Sequence, residues 1–185
     1  MAKKNLVTVK DEGWNEIVRR NKALRDKPVQ ALVGVQGEKG KEIREEGMTN
    51  AYLASIHEFG TLDGRVPARS FMRSTFDEQQ TKYQREINKI GKIFLSGQRF
   101  PGGGTVEGQL MLLGEKHRID IIKKVYSKIP PSLKPATIRA REPKTEKKRA
   151  KGKISKLADT PLFNTGTMIA SIAVVMEHGK HDTSG

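Results

Sequence analysis

The sequence predicts an α+β fold, with a small, mainly antiparallel sheet, helices packed on one face and long charged loops or arms. Three observations support this prediction: short alternating strand patterns near both ends of the chain, two long amphipathic helical patterns between them, and a basic stretch poor in apolar residues. A chain of 185 residues suits one domain with extensions. Leu, Ile, Val and Phe make up about 23% of it, so we expect a modest core that neighbouring subunits help to complete.

The first elements read as a strand, a helix and a second strand. Residues 5–9 are rich in β-branched residues, and a helix is expected from about Asp11 to Arg25. The second strand is expected at 30–36, while the charged, glycine-flanked residues 37–47 read as an exposed loop. Four apolar side chains of the helix are expected to face the core: Trp14, Ile17, Val18 and Leu24.

The middle of the chain carries the strongest helical signals. Apolar residues recur at helical spacing over 70–95, with Ser70 as the expected N-cap, and again over 105–128. A glycine-rich break separates the two helices. The apolar stripe of the first consists of Phe76, Tyr83, Ile87, Ile90 and Phe94.

The chain is expected to divide into four parts. Residues 1–131 would form most of the core, and 132–160 a basic extended arm or loop that buries too little apolar surface to order itself. Residues 161–178 would add a helix and a strand that complete the core, followed by a polar tail, 179–185.

Composition limits the classes of function. The net charge is +14, and residues 134–156 hold ten basic and two acidic side chains, a net charge of +8. Such a stretch suits DNA or an acidic protein surface. There is no cysteine, hence no disulfide or thiolate metal site, and no apolar run long enough for a membrane span. The first ten residues lack the apolar segment of a signal peptide, so we expect synthesis in the cytoplasm.

No set of residues in the sequence predicts catalysis, a cofactor or a metal. His57-Glu58 lacks the second histidine one turn later that a zinc helix needs, because position 61 is threonine. His178 and His181 have helical spacing but lie in the polar tail, and Gly102–Gly104 lack a phosphate-binding motif. We therefore predict that the chain is not an enzyme.

Two groups of basic residues are candidates for contact with partners. Arg69 and Arg73 are four residues apart and would share a helix face. They would either be exposed to solvent or pair with a carboxylate of another molecule. The basic arm would contact DNA phosphates non-specifically or would dock on an acidic neighbour or remain solvated; it has no aromatic residue to stack on bases. Its members are Arg139, Arg141, Lys144, Lys147, Lys148, Arg149, Lys151 and Lys153.

Three short motifs carry a resemblance to a known family. The first is His57-Glu58-Phe59-Gly60 together with Pro67-Ala68-Arg69-Ser70-Phe71-Met72-Arg73, the second is LKPATI at 133–138, and the third is PLFNTGTM at 161–168. In this order they resemble the neck and tail-completion proteins of tailed bacteriophages, the phage virion morphogenesis family, which includes tail completion and head-tail joining proteins.

The resemblance implies a structural virion protein made in the host cytoplasm. It implies a ring, six-fold with twelve-fold as the alternative, that joins or seals the tail to the head while DNA passes through the lumen. Its partners would be copies of itself and other neck, connector and tail proteins. Residues in and between the two stretches of the first motif would contact a neighbouring subunit: His57, Glu58, Phe59, Arg65, Arg69 and Arg73. The alternatives are a basic cytoplasmic DNA-binding protein that uses 134–156, and an assembly factor absent from the virion.

Overall fold

The computed structural model describes residues 11–44, 47–141, 159–162 and 166–179. The predicted strand at 5–9 and the tail beyond residue 179 lie outside these ranges. The α+β class is confirmed, because helices make up most of the described residues and accompany one small antiparallel sheet.

The sheet joins the two ends of the described chain. Strand β1 spans Val29–Val35 and strand β2 spans Ile172–His178. They pair antiparallel, with Val29 opposite His178 and Val35 opposite Ile172. Both strands were expected from alternating apolar residues, but their partnership across the whole chain follows only from the tertiary structure.

Seven helices accompany the sheet in the described residues. The predicted long helices are confirmed as α4 and α5, and a 3₁₀ turn at Pro101–Gly103 precedes α5. Thr105 caps α5, since its side-chain oxygen accepts a hydrogen bond from the Gly108 N–H at 3.1 Å. The helices are α1 (Glu12–Asp26), α2 (Gly37–Lys41), α3 (Asn50–Phe59), α4 (Met72–Ser96), α5 (Val106–Tyr126), α6 (Pro135–Arg141) and α7 (Thr167–Ala170).

Helix α5 lies across the sheet and contacts both strands. The close approach depends on Gly114, because a Cβ added there would lie 2.5 Å from the Val174 side chain. Helix α4 packs beside α5, and α3 and α7 close the end of the sheet where β2 begins. The core between these elements is formed by Ala54, Phe71, Ile121, Val125, Ile129, Leu162, Met168, Ile169 and Ile172.

The predicted orientation of α1 was wrong. Trp14, Ile17 and Val18 are exposed, Leu24 is partly buried, and α1 buries no residue completely. The helix is attached through Arg20, whose guanidinium donates to the Phe94 and Leu95 carbonyl oxygens at 3.4 and 3.3 Å, at the end of α4. Carbonyl oxygens in the last turn of a helix lack the usual partner four residues later, so an arginine binds them well; the Phe94 oxygen also accepts from the Gly97 N–H at 3.2 Å.

Two loop predictions also need correction. Residues 37–47, expected as a loop, contain helix α2, and Ile43 forms an isolated antiparallel bridge with Thr49. Within the predicted arm, residues 135–141 form helix α6. The proline at the first position of α6 is typical of a helix start. The prediction relied on the composition of the whole stretch and therefore missed this short helix. Residues 142–158 lie outside the described ranges.

Candidate functional site

The corner between α3 and α4 holds the charged residues of the family-like motif. Thr49 caps α3 by accepting a hydrogen bond from the Tyr52 N–H at 3.1 Å. The helix ends at Gly60, which has φ 77° and ψ −179°. This backbone conformation is open essentially to glycine alone, and a Cβ added there would lie 2.8 Å from the Ala68 nitrogen.

Glu58 is a buried carboxylate that caps α4 from another helix. It is 5% exposed and accepts hydrogen bonds from the backbone N–H groups of Phe71, Met72 and Arg73 at 2.8, 2.9 and 3.0 Å. The Ser70 hydroxyl also donates to it, at 2.5 Å. A negative charge here satisfies unpaired N–H groups and the positive end of the helix dipole. The prediction that Ser70 caps α4 was wrong, because its hydroxyl serves Glu58 instead.

Arg69 is also buried and is bound within the chain. Only 5% of it is exposed, and its Nε and Nη2 donate to the Pro131 carbonyl oxygen at 2.9 and 2.7 Å. It precedes α4, so it does not share a helix face with Arg73 as predicted. Arg73, in the first turn of α4, and Arg65, which pairs with Asp63 at 3.0 Å, are exposed.

His57 lies in a positively charged environment. Burial, together with the nearby positive charges of Arg69, Arg141 and Arg44, lowers its pKa from 6.5 to about 4. The imidazole is therefore neutral at pH 7. The described residues contain no group of three or more histidines and carboxylates that could hold a metal ion.

Arg141 joins this environment from α6. Its guanidinium donates to the Thr160 carbonyl oxygen at 2.9 Å and is partly buried, whereas Arg139 on the same helix is exposed. The sequence placed both in a basic arm, and nothing local signals that Arg141 turns inward. The other six predicted arm residues lie between 142 and 158, outside the described ranges, so a contact with DNA or protein there stays a prediction.

The outer side of α3 presents large apolar side chains. Tyr52 and Phe59, seven residues apart on one helical face, are 58% and 72% exposed, and Leu62 in the following loop is fully exposed. Ile43, bridged to Thr49 at the start of α3, is 71% exposed. We call these four residues the outer patch. Exposed apolar residues grouped in this way are typical of protein interfaces.

The six residues predicted to contact a neighbour thus fall into two sets. Glu58 and Arg69 are buried within the chain, and His57 is partly buried beside them. Phe59, Arg65 and Arg73 are exposed and available to a partner. Helical spacing in the sequence places Tyr52 and Phe59 on one apolar face, but spacing does not say which side of a helix faces solvent. Nothing in the sequence indicated that Leu62 and Ile43 are exposed beside that helix.

Comparisons with protein-family models, with curated proteins and with solved structures give no match for this chain. No helix among the described residues is long and apolar enough to cross a membrane.

Proposed function

We propose that this chain is a structural virion protein of the phage neck, which assembles into a ring that joins or seals the tail to the head. The proposal rests on the order of the three family-like motifs and on one structural observation, the outer patch. Four large apolar side chains would remain in water if the chain worked alone. Covering them with a copy of the same chain removes that cost.

A ring requires that one surface of each subunit fits a different surface of the next. The outer patch supplies one such surface, at the end of the molecule where α4 begins. The exposed apolar side of α1 is formed by Trp14, Ile17 and Val18, and α1 is bound to the other end of α4, a helix of 25 residues that is about 37 Å long. Two different apolar surfaces, associated with opposite ends of α4, suit head-to-tail contacts.

The first test is the mass of the purified full chain in solution. We expect a closed oligomer, six-fold on the proposal, by light scattering and native mass spectrometry, and a ring at the junction of capsid and tail in micrographs of the particle. The double variant Phe59→Ser/Leu62→Ser should shift the oligomer to monomers. Leu112→Ser, which changes an exposed leucine of α5, is the matched control. A monomer at all concentrations, or a neck without this subunit, would overturn the proposal.

The alternative function is non-specific DNA binding through residues 134–156, and the salt dependence of DNA affinity distinguishes it from the proposed ring. Six to ten phosphate contacts would weaken DNA affinity by about 10³ to 10⁵ between 50 and 200 mM salt. Since Arg141 is bound to Thr160 within the chain, it is a poor candidate for such a contact. Tight, salt-sensitive binding that vanishes on deletion of 142–156 would favour the alternative.

A further inference from the structure

The sheet has an edge that no described segment covers. It contains two strands, so β1 pairs with β2 on one side only. The hydrogen bonds from Gly179 N to Pro28 O and from Gln36 N to Ser171 O show that even-numbered residues of β1 direct their backbone groups towards β2. The N–H and C=O groups of Ala31 and Val33 therefore point to the other edge, where no described segment bonds to them.

An apolar groove lies beside this open edge. It holds about 210 Å³, and its walls are Val29, Ala31 and Val33 from β1 and Phe76, Tyr83 and Ile87 from α4, with α5 as the floor. We call it the β1–α4 groove. None of its lining residues comes from β2, so it lies on the unpaired side of β1.

The α4 wall of the groove is incompletely buried. Phe76 and Ile87 belong to the apolar stripe of α4, yet they are 42% and 45% exposed, whereas Tyr83 between them is 5% exposed. A helix normally buries such a stripe against a neighbouring element. An apolar helix face above an open strand edge has the shape that one more strand would fill, since that strand would bond to β1 and place alternate side chains under α4.

We propose that residues 5–9 of this chain occupy the β1–α4 groove as a third strand on the free edge of β1. This segment, Asn5-Leu6-Val7-Thr8-Val9, lies outside the described residues, and its sequence is rich in β-branched residues that suit strands. In an extended chain Val7 and Val9 share one face, which would meet the groove. Leu6 and Thr8 share the other face and would lie on the outer side of the sheet.

The attachment of the segment favours this occupant. It leads directly into α1, which ends next to the start of β1 and is bound to the end of α4 through Arg20. An order of strand, helix and strand places the added strand parallel to β1. Five extended residues span about 17 Å, most of the length of β1. Since the segment is tethered to the groove, its local concentration is on the order of millimolar, higher than that of a free partner.

The chain has no cysteine, so engineered disulfides report the contact cleanly. Thr8→Cys combined in turn with Gln30→Cys, Leu32→Cys or Gly34→Cys tests each outward-facing register on β1. We expect one of the three pairs to form a disulfide within a single chain, identified by mass spectrometry of the digest. Thr8→Cys with Lys123→Cys, an exposed site at the far end of α5, is the control that should stay reduced.

Disulfides between two chains would instead mean that a second copy supplies the strand, and no disulfide in any pair would mean that neither does. Either result overturns the proposal.

Hydrogen exchange gives an independent readout that tolerates small losses of stability. The amides of Ala31 and Val33 should exchange at least about tenfold faster in Val7→Asp than in the parent chain, because the added strand is lost. Thr8→Asp places the same charge on the outer face and should leave the exchange unchanged. Equal rates at Ala31 and Val33 in the parent and in Val7→Asp would overturn the proposal. Circular dichroism of each variant checks that the helices are retained. A change in the oligomer without a change in this exchange concerns the proposed ring alone.

Discussion

The inner and outer sides of α3 reverse the usual distribution of polarity. On the inner side, Asn50, Ala54 and Glu58 are buried, two of them polar. On the outer side, Tyr52 and Phe59 are mostly exposed. Glu58 and Phe59 are neighbours in the same motif, yet the carboxylate lies inside the chain and the phenyl ring lies in water.

This difference shows that the residues of one motif can serve two purposes. The buried polar residues hold the fold through hydrogen bonds. The Asn50 side-chain nitrogen donates to the Lys39 carbonyl oxygen at 2.8 Å, although its side-chain oxygen has no partner among the described residues, and Glu58 accepts from the first turn of α4. The exposed apolar residues contribute little to the isolated fold and are available to a partner. Substitutions on the two sides should therefore have separable effects on the stability of the fold and on assembly.

The largest effect is expected on the inner side, for Glu58→Ala. The change leaves three N–H groups of α4 and the Ser70 hydroxyl without their acceptor, so we expect a loss of about 3 kcal/mol in the free energy of unfolding. Urea denaturation measures it. Asp77→Ala, at an exposed position of the same helix, should cost less than about 0.5 kcal/mol. Similar losses in both variants would contradict the role of Glu58 as a cap.

The turn that follows α3 should be nearly as sensitive. Gly60→Ala forces a Cβ against the Ala68 nitrogen and an unfavourable backbone conformation, for a loss of about 2 kcal/mol in the free energy of unfolding. Gly91→Ala is the matched control, since Gly91 lies inside α4 with no atom near the added Cβ. There alanine should stabilise the protein by about 0.5 to 1 kcal/mol. The two thermal midpoints should move in opposite directions, and a shared direction would refute this account of Gly60.

His57 should make the stability depend on pH. Its pKa in the folded chain, about 4, is below the ordinary value of 6.5, so the unfolded chain binds the proton first. Stability should then fall as the pH decreases from about 6.5 to 4, by about 2 kcal/mol from this group, and should be flat above pH 7. Urea titrations at several pH values should give a smaller slope for His57→Gln. An unchanged slope would show that burial and the neighbouring arginine charges do not keep the imidazole neutral.

The smallest effect on the isolated fold is expected on the outer side. Phe59→Ser should change the free energy of unfolding of the monomer by less than about 0.5 kcal/mol, because the ring is 72% exposed. The free energy of unfolding should be measured in dilute samples, below the concentration at which the chain assembles. A loss comparable to that of Glu58→Ala would mean that the outer side of α3 also stabilises the isolated fold and is not reserved for contact with a partner.

Local patterns in the sequence predicted the long helices and both strands, but they missed the short helices α2 and α6 and did not predict the environment of any element. The stripe from Phe76 to Phe94 predicted α4 to within two residues, and the alternation of Ala31, Val33 and Val35 predicted β1 to within one. The same reasoning failed for α1, where Trp14, Ile17 and Val18 are exposed and only Leu24 of the four predicted core residues is partly buried. Periodicity reports that a helix has an apolar side, but it does not report whether that side meets the core, another segment or another subunit.

The roles of the charged residues could not be read locally either. Glu58 acts on residues 12 to 15 positions later in the chain, and Arg69 binds an oxygen 62 positions away. No propensity or spacing rule links such distant groups, whereas the cap at Thr49 depends on residues three apart and was predictable.

The sequence alone determined the class of fold, the positions of the long helices and strands, and the strongly basic charge, because each depends on composition or on neighbours along the chain. Only the tertiary structure decided that the motif's carboxylate and one of its arginines are buried, that its aromatic ring faces water, and that β1 keeps a free edge beside an apolar groove. These outcomes depend on which distant segments meet, since burial is a property of packing in three dimensions.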